Sequence, residues 1–299
     1  MKKIILLAAM MLIASALFAG KINIVCSDPD MGDIMKNIAG DRANVESLMM
    51  GTQDPHSVEP RPSMVVKVRN ADLVAVIGMD LDMWANSVIE ASRNSHVMKG
   101  GDGYLDLSKK IPVIEIPQGK VDASIGDVHI YGNPHYHMDP NNGKIIAKEI
   151  LEKLSEKYPD DADYFKGNYD AFIKKLDEGI ARWNAELKPY KGLPIAATHD
   201  CWDYFINYCG FKVSGYIESK PAIPPSPGDI ERLIKKMKED GAKIILVDQF
   251  YDMSAPEKVA KETGAKIVLL STAVGGLKGT DTYIGLFNYD VDTFVNALK

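Results

Sequence analysis

The side chains best able to do chemistry in this chain are its six histidines. His129, His135 and His137 crowd into GDVHIYGNPHYHMDP, too polar a stretch for an ordinary core segment. His56 lies in DPHSVEPRP, where Pro55, Pro60 and Pro62 stiffen the loop and lower the entropy cost of holding a ligand. His199 closes LPIAATH, at the carboxyl edge of a strand, where α/β sheets bind ligands. Neutral imidazole is a common ligand for transition metals. Taken singly, a histidine at such a junction is more often a structural hydrogen-bonder than a ligand. Three of them in loops leading into helices of separate units point to a shared metal. His135 and His137 do not easily share it. Asp139-Pro140 already reads as a helix start, with Asp139 as cap. His135 is therefore taken as the ligand, and His137 and His129 as outer-shell or delivery residues. His96, near a helix end, is given no role.

Other chemistries find less support. A secreted mononuclear zinc hydrolase would use three histidines, a bound water, and Glu59 or Asp248 as base, but no HExxH or paired-carboxylate motif is present. A haem, siderophore or cobalamin binder needs a broad apolar or basic pocket. A Cys201 nucleophile with His199 as base has no orienting third group. Cys26, Cys201 and Cys209 contain no CxxC pattern. Across a helical WDYFINY the last two stand about 12 Å apart, too far for a disulfide. They read as packing residues.

The elements that must position the histidines alternate. KINIVCS, VESLMM and DLVAVIG read as strands, with helices at DIMKNIA, SMVVKVRNA and MDLDMWANSVIEAS. After Pro189 the alternation restarts through LPIAATH, FKVSGYIE, AKIILVDQF and AKIVLLS, each strand followed by a helical stretch. Between the halves lies almost unbroken helix. Pro159 divides it into about Asn142–Lys157 and about Asp161–Lys188. In the second part Phe165, Tyr169, Phe172, Leu176, Ile180, Trp183 and Leu187 form one apolar stripe. The expected fold is α/β: two Rossmann-like lobes joined by a single long backbone helix. The expected boundaries are an N-terminal lobe over 20–160, the connecting helix over 161–188 and a C-terminal lobe over 189–299.

Residues 1–19, MKKIILLAAMMLIASALFA, read as a signal peptide: two lysines, an apolar run, then small residues. No cysteine follows directly, so no lipobox anchor is expected, and the mature protein is expected to be soluble and periplasmic. Loss of the two leader lysines takes the net charge from −6 to −8. That balance argues against a nucleic-acid partner, which needs clustered Lys and Arg.

The ordered set GTQDPHSVEPRPS, ADLVAVIGMDLDMW, GNPHYHMDP, THDCWDYFINYCG and KETGAKIVLLSTAVGG resembles the zinc and manganese substrate-binding proteins of bacterial ABC transporters, the cluster A-I (ZnuA-like and TroA-like) family. The resemblance covers essentially everything after the leader. It implies that Zn²⁺ is captured between two lobes and delivered to an inner-membrane ABC permease by a non-enzymatic protein, taken to be a monomer. It places the ligands on His56, His135 and His199. Mn²⁺ is a poorer match, because family members preferring it carry a carboxylate where this chain has His199. Three imidazoles independently suit Zn²⁺. The chain departs from the family at LLSTAVGG, where Ser271 and Thr272 stand in place of a fourth, carboxylate ligand. The fourth position is left to water, Asp248 or Glu59. It also lacks the long His-rich loop of many zinc members, having only QGKVDASIGDVHIYG.

Overall fold

A computed structural model describes residues 20–117, 129–218 and 224–299; the leader expected over 1–19 lies outside them. Each half builds a four-stranded, wholly parallel sheet. The first contains β1 (Ile22–Cys26), β2 (Ala43–Ser47), β3 (Leu73–Val76) and β4 (Tyr104–Asp106) in the order β2-β1-β3-β4. The second contains β5 (Pro194–Ala197), β6 (Lys212–Tyr216), β7 (Ile244–Asp248) and β8 (Lys266–Leu270) in the order β6-β5-β7-β8. The same winding thus occurs twice. Parallel sheets are covered on both faces, and accordingly every residue of β3 and β7 is buried.

The first sheet carries α1 (Pro29–Ala39), α2 (Pro62–Arg69) and α3 (Met83–Ser92). Next come α4 (Pro140–Lys157) and the long α5 (Ala162–Leu187). The second sheet carries α6 (Asp203–Cys209), α7 (Pro227–Asp240), α8 (Ser254–Thr263) and α9 (Tyr283–Leu298). Their starts follow from local chemistry. Asp28 and Asp139 cap α1 and α4 by accepting backbone N–H bonds, each followed by a proline that costs the first turn no hydrogen bond. Gly210, Gly241 and Gly264 end α6, α7 and α8 in left-handed conformations that glycine adopts without strain.

The stripe on α5 is buried as expected, with Tyr169 only half-buried. It is part of one apolar cluster running from Ile24 and Leu73 in the first sheet to Ile195 and Phe205 in the second half. The helix therefore shares a core with both lobes instead of merely tethering them. A turn of 3-10 helix at Pro159–Asp161 separates it from α4, where proline interrupts the helical hydrogen bonding. Several bounds differ from expectation: α1 starts at Pro29, four residues before DIMKNIA, and α3 at Met83, four residues into MDLDMWANSVIEAS. The capping of Asp139 starts α4 two residues earlier than Asn142. DCW forms a 3-10 turn, and α6 begins only at Asp203. β4 was not anticipated, because YLD is three residues long and half-buried throughout.

The lobes also touch directly. Asp30 Oδ1 accepts the Val274 N–H at 2.6 Å, and Asp33 Oδ2 accepts the Tyr283 N–H at 2.9 Å. Tyr283 Oη donates to the His137 carbonyl at 2.7 Å, and Gln249 Nε2 to the Gly51 carbonyl at 2.8 Å. The carboxylates of one helix in the first lobe thus hold the loop that follows β8 in the second.

Candidate metal centre

Three separate pieces of backbone bring histidines to one place. His56 sits in the turn after β2; its N–H donates to Asp54 Oδ1, and Trp84 Nε1 donates to the preceding Pro55 carbonyl. The first bond shapes the loop and the second fixes it against α3, so the prolines are not its only restraint. His135 is buried just before a 3-10 turn at Tyr136–Met138 and directly upstream of α4. Asn133 Oδ1 accepts its N–H at 3.0 Å, and Tyr136 Oη donates to the Ile77 carbonyl at 2.9 Å, seating the segment over β3. His199 follows β5 in extended conformation, as its place at a strand end requires.

The rings converge. Centroids are 5.3 Å apart for His56 and His135, 5.7 Å for His56 and His199, and 5.8 Å for His135 and His199. All three line a cleft cavity of 720 Å³, shared with His137, Asp248 and Thr272. Burial holds the His135 imidazole well below its usual pKa, and the neighbouring His56, His199, His137 and His129 push it the same way. It is neutral at pH 7, as a metal ligand must be. Its Nε2 is buried with no hydrogen-bond partner.

The other residues singled out from the sequence separate clearly. His137 lies 6.3 Å from His135 by ring centroid, but its Nε2 stands 3.3 Å from the Thr272 carbonyl and 3.5 Å from Asp30 Oδ2, at the lobe junction. Burial pushes its pKa down to about 4. Asp248 lines the cavity, yet its Oδ2 accepts from Thr198 Oγ1 at 3.0 Å and Cys201 Sγ at 3.6 Å. Burial raises its pKa to about 7. Glu59 is exposed. Among the described residues, neither carboxylate belongs to a set of three donors within 4.8 Å of one another. Two such sets do form: His56, His129 and His135; and His135, His199 and Asp200. His129 and Asp200 are thus brought in by the fold. The Gly132 turn signal could have located the first; Asp200, read only as the start of a helix, left no signal. Ser271 and Thr272 turn their hydroxyls to Ala273 O and Gln249 Oε1. The three cysteines are buried and free, as expected of packing residues.

Two parallel-sheet lobes thus share one long helix, and imidazoles meet in the cleft. The family model described as zinc-uptake complex component A, periplasmic, matches residues 24–297, and the chain belongs to that family. It is 28% identical to the metal ABC transporter substrate-binding lipoprotein SloC of Streptococcus mutans, with all of both chains covered. Over 94% of this chain and 90% of the relative, it is also 28% identical to the manganese ABC transporter substrate-binding lipoprotein scaA of Streptococcus gordonii. In fold it is similar to a Mn-bound periplasmic metal-binding protein from Candidatus Liberibacter asiaticus. That likeness has a TM-score of 0.78 at 22% identity, covering 94% of this chain and all of that one.

These relatives correct one expectation. SloC and scaA are named lipoproteins, against the soluble periplasmic form without a lipobox cysteine expected here, and that localisation is not retained. No helix among the described residues is long and apolar enough to cross a membrane, but a lipid anchor needs none, since acyl chains themselves supply membrane affinity. The relatives are transporter components and not enzymes, so the hydrolase alternative is not favoured.

Proposed function

We propose that the chain captures Zn²⁺ between its lobes on His56, His135 and His199 and hands it to an ABC permease. The observation that carries this reading is the meeting of three imidazoles from three chain segments and two lobes, with centroids 5.3–5.8 Å apart. Lobes of about 20–160 and 189–299, bridged by 161–188, supply the two jaws. A core shared along α5 favours small tilting over wide hinge opening. Tetrahedral zinc, with Zn–N distances of about 2.0–2.1 Å, senses such small movements.

The manganese in the scaA name favours a second cargo. Donor chemistry argues for zinc first, because imidazole nitrogen suits Zn²⁺ and carboxylate oxygen suits Mn²⁺. Calorimetric titration of the metal-stripped protein with Zn²⁺ and then Mn²⁺, repeated on His199→Ala, tests the reading. One zinc site that collapses in the variant, with weaker manganese binding, is expected. Zinc binding untouched by the substitution would remove the cleft as the cargo site.

A further inference from the structure

We propose that His129 is the fourth cargo ligand, completing with His56, His135 and His199 an all-imidazole site in which three donors come from the N-terminal lobe. The inference rests on the reading above and extends it to this chain's own coordination number and order of loading.

Ring geometry is the first support. Four imidazoles around tetrahedral zinc, each bonded at about 2.0–2.1 Å, place their ring centroids roughly 5 Å apart. The His129 ring lies 5.1 Å from His56 and 6.2 Å from His135. Together with the three distances among the other histidines, five of the six ring pairs fall between 5.1 and 6.2 Å. The ligating atoms of His56, His129 and His135 lie within 4.8 Å of one another, a span that a single ion can bridge.

The backbone is built to deliver this ring. Gly132, at φ 101°, turns the chain between His129 and His135, and its N–H donates to the His129 carbonyl at 3.1 Å. Asn133 N–H donates to the Ile114 carbonyl at 3.0 Å, fastening the turn to the preceding segment. A side chain at Gly132 would strike Val113 Cγ1 and come within 2.8 Å of the Ile114 carbonyl. The turn is thus held at closest approach where it folds His129 back toward His56.

The opposite lobe offers little competition: Asp248 lines the cavity but belongs to no set of three donors within 4.8 Å of one another among the described residues. Its cleft loop spends Ser271 and Thr272 on Ala273 and Gln249. Asp200, the remaining nearby donor, places Oδ1 3.1 Å from His199 Nε2, the position of a carboxylate that orients an imidazole. The consequence is an asymmetric site. The N-terminal lobe presents a three-imidazole face that takes the ion first, and His199 closes on it from the other lobe. Four neutral nitrogens also bias the site toward Zn²⁺ over Mn²⁺.

X-ray absorption of the full chain loaded with one Zn²⁺ is expected to show four nitrogen donors, all imidazole. His129→Ala is expected to lose one imidazole from that shell. It should weaken zinc binding by at least the roughly 10- to 100-fold that loss of an outer-sphere partner costs. His129→Cys, which restores a donor, is expected to recover a four-coordinate shell. An unchanged thermal midpoint of the metal-free variant separates ligand loss from misfolding. If His56→Ala and His199→Ala abolish binding while His129→Ala leaves shell and affinity unchanged, this proposal fails and the three-histidine reading stands. The proposal fails in the same way if Asp200→Asn, and not His129→Ala, removes the fourth donor. If none of these variants affects binding, the cargo reading itself fails.

Discussion

A histidine becomes a ligand by being held neutral and aimed, and the histidines of this chain differ in burial and in neighbours. His135 is buried among other imidazoles, which keeps it neutral. His96 is exposed and paired with Asp102 at 2.8 Å, with no other imidazole beside it. Carboxylates divide in the same way. Glu149, on α4, is buried, and burial raises its pKa to about 7, opposed by Lys110 and reinforced by Asp106. Its folded pKa exceeds its unfolded value, so the stabilisation of its protonated form is complete below about pH 4.5 and lost as pH rises through about 7. Glu149→Gln removes the charged state. It is expected to raise stability at pH 8 by on the order of 1 kcal/mol and to change little at pH 4, read by urea unfolding at both values. Equal effects at the two pH values would contradict the assignment.

Among the elements, the turn between His129 and His135 carries the most consequence per residue. Its glycine occupies a region that other residues enter only under strain, and the space beside it is already filled by Val113 and Ile114. Gly132→Ala is expected to cost about 1–3 kcal/mol of stability and to weaken zinc binding, because both flanking histidines move with the turn. Unfolding curves and a zinc titration of the same preparation check both. Normal affinity in a destabilised variant would mean that the turn does not position the rings. Asn133 serves the same purpose across the cleft. Its Nδ2 donates to Glu115 Oε2 and to the Asp200 carbonyl, both at 2.9 Å, while its Oδ1 accepts from His135. One side chain therefore links the segment bearing His135 to the segment bearing His199.

In the molecule as a whole, the contacts that set how the lobes stand include the core shared along α5 and the clamp from Asp30 and Asp33 to Val274 and Tyr283. Tyr283 adds a hydroxyl bond to the His137 carbonyl, inside the buried junction. Tyr283→Phe keeps the ring and deletes that bond. It is expected to cost about 0.5–1.5 kcal/mol and to speed hydrogen exchange in the loop after β8 without unfolding either lobe. Unchanged exchange there would show that the hydroxyl does not help hold the lobes together.

Two α/β lobes, the long helix and its apolar stripe were legible from local pattern alone, because periodicity and proline placement act within a few residues. The same holds for His56, His135 and His199 as candidates, since loop prolines and strand ends are local signals. Three things were not legible. His129 reads from sequence as an outer or delivery residue because its ring is returned toward His56 by a turn whose closure depends on Ile114, in a segment well upstream in the chain. Asp200 reads only as the start of a helix, and enters the cluster through the geometry of the turn after β5. The interlobe clamp joins Asp30 to Val274, partners no local pattern connects. Side-chain type and spacing restrict which groups can bind a metal; which of them come within reach of a single ion depends on long-range packing of one lobe against the other.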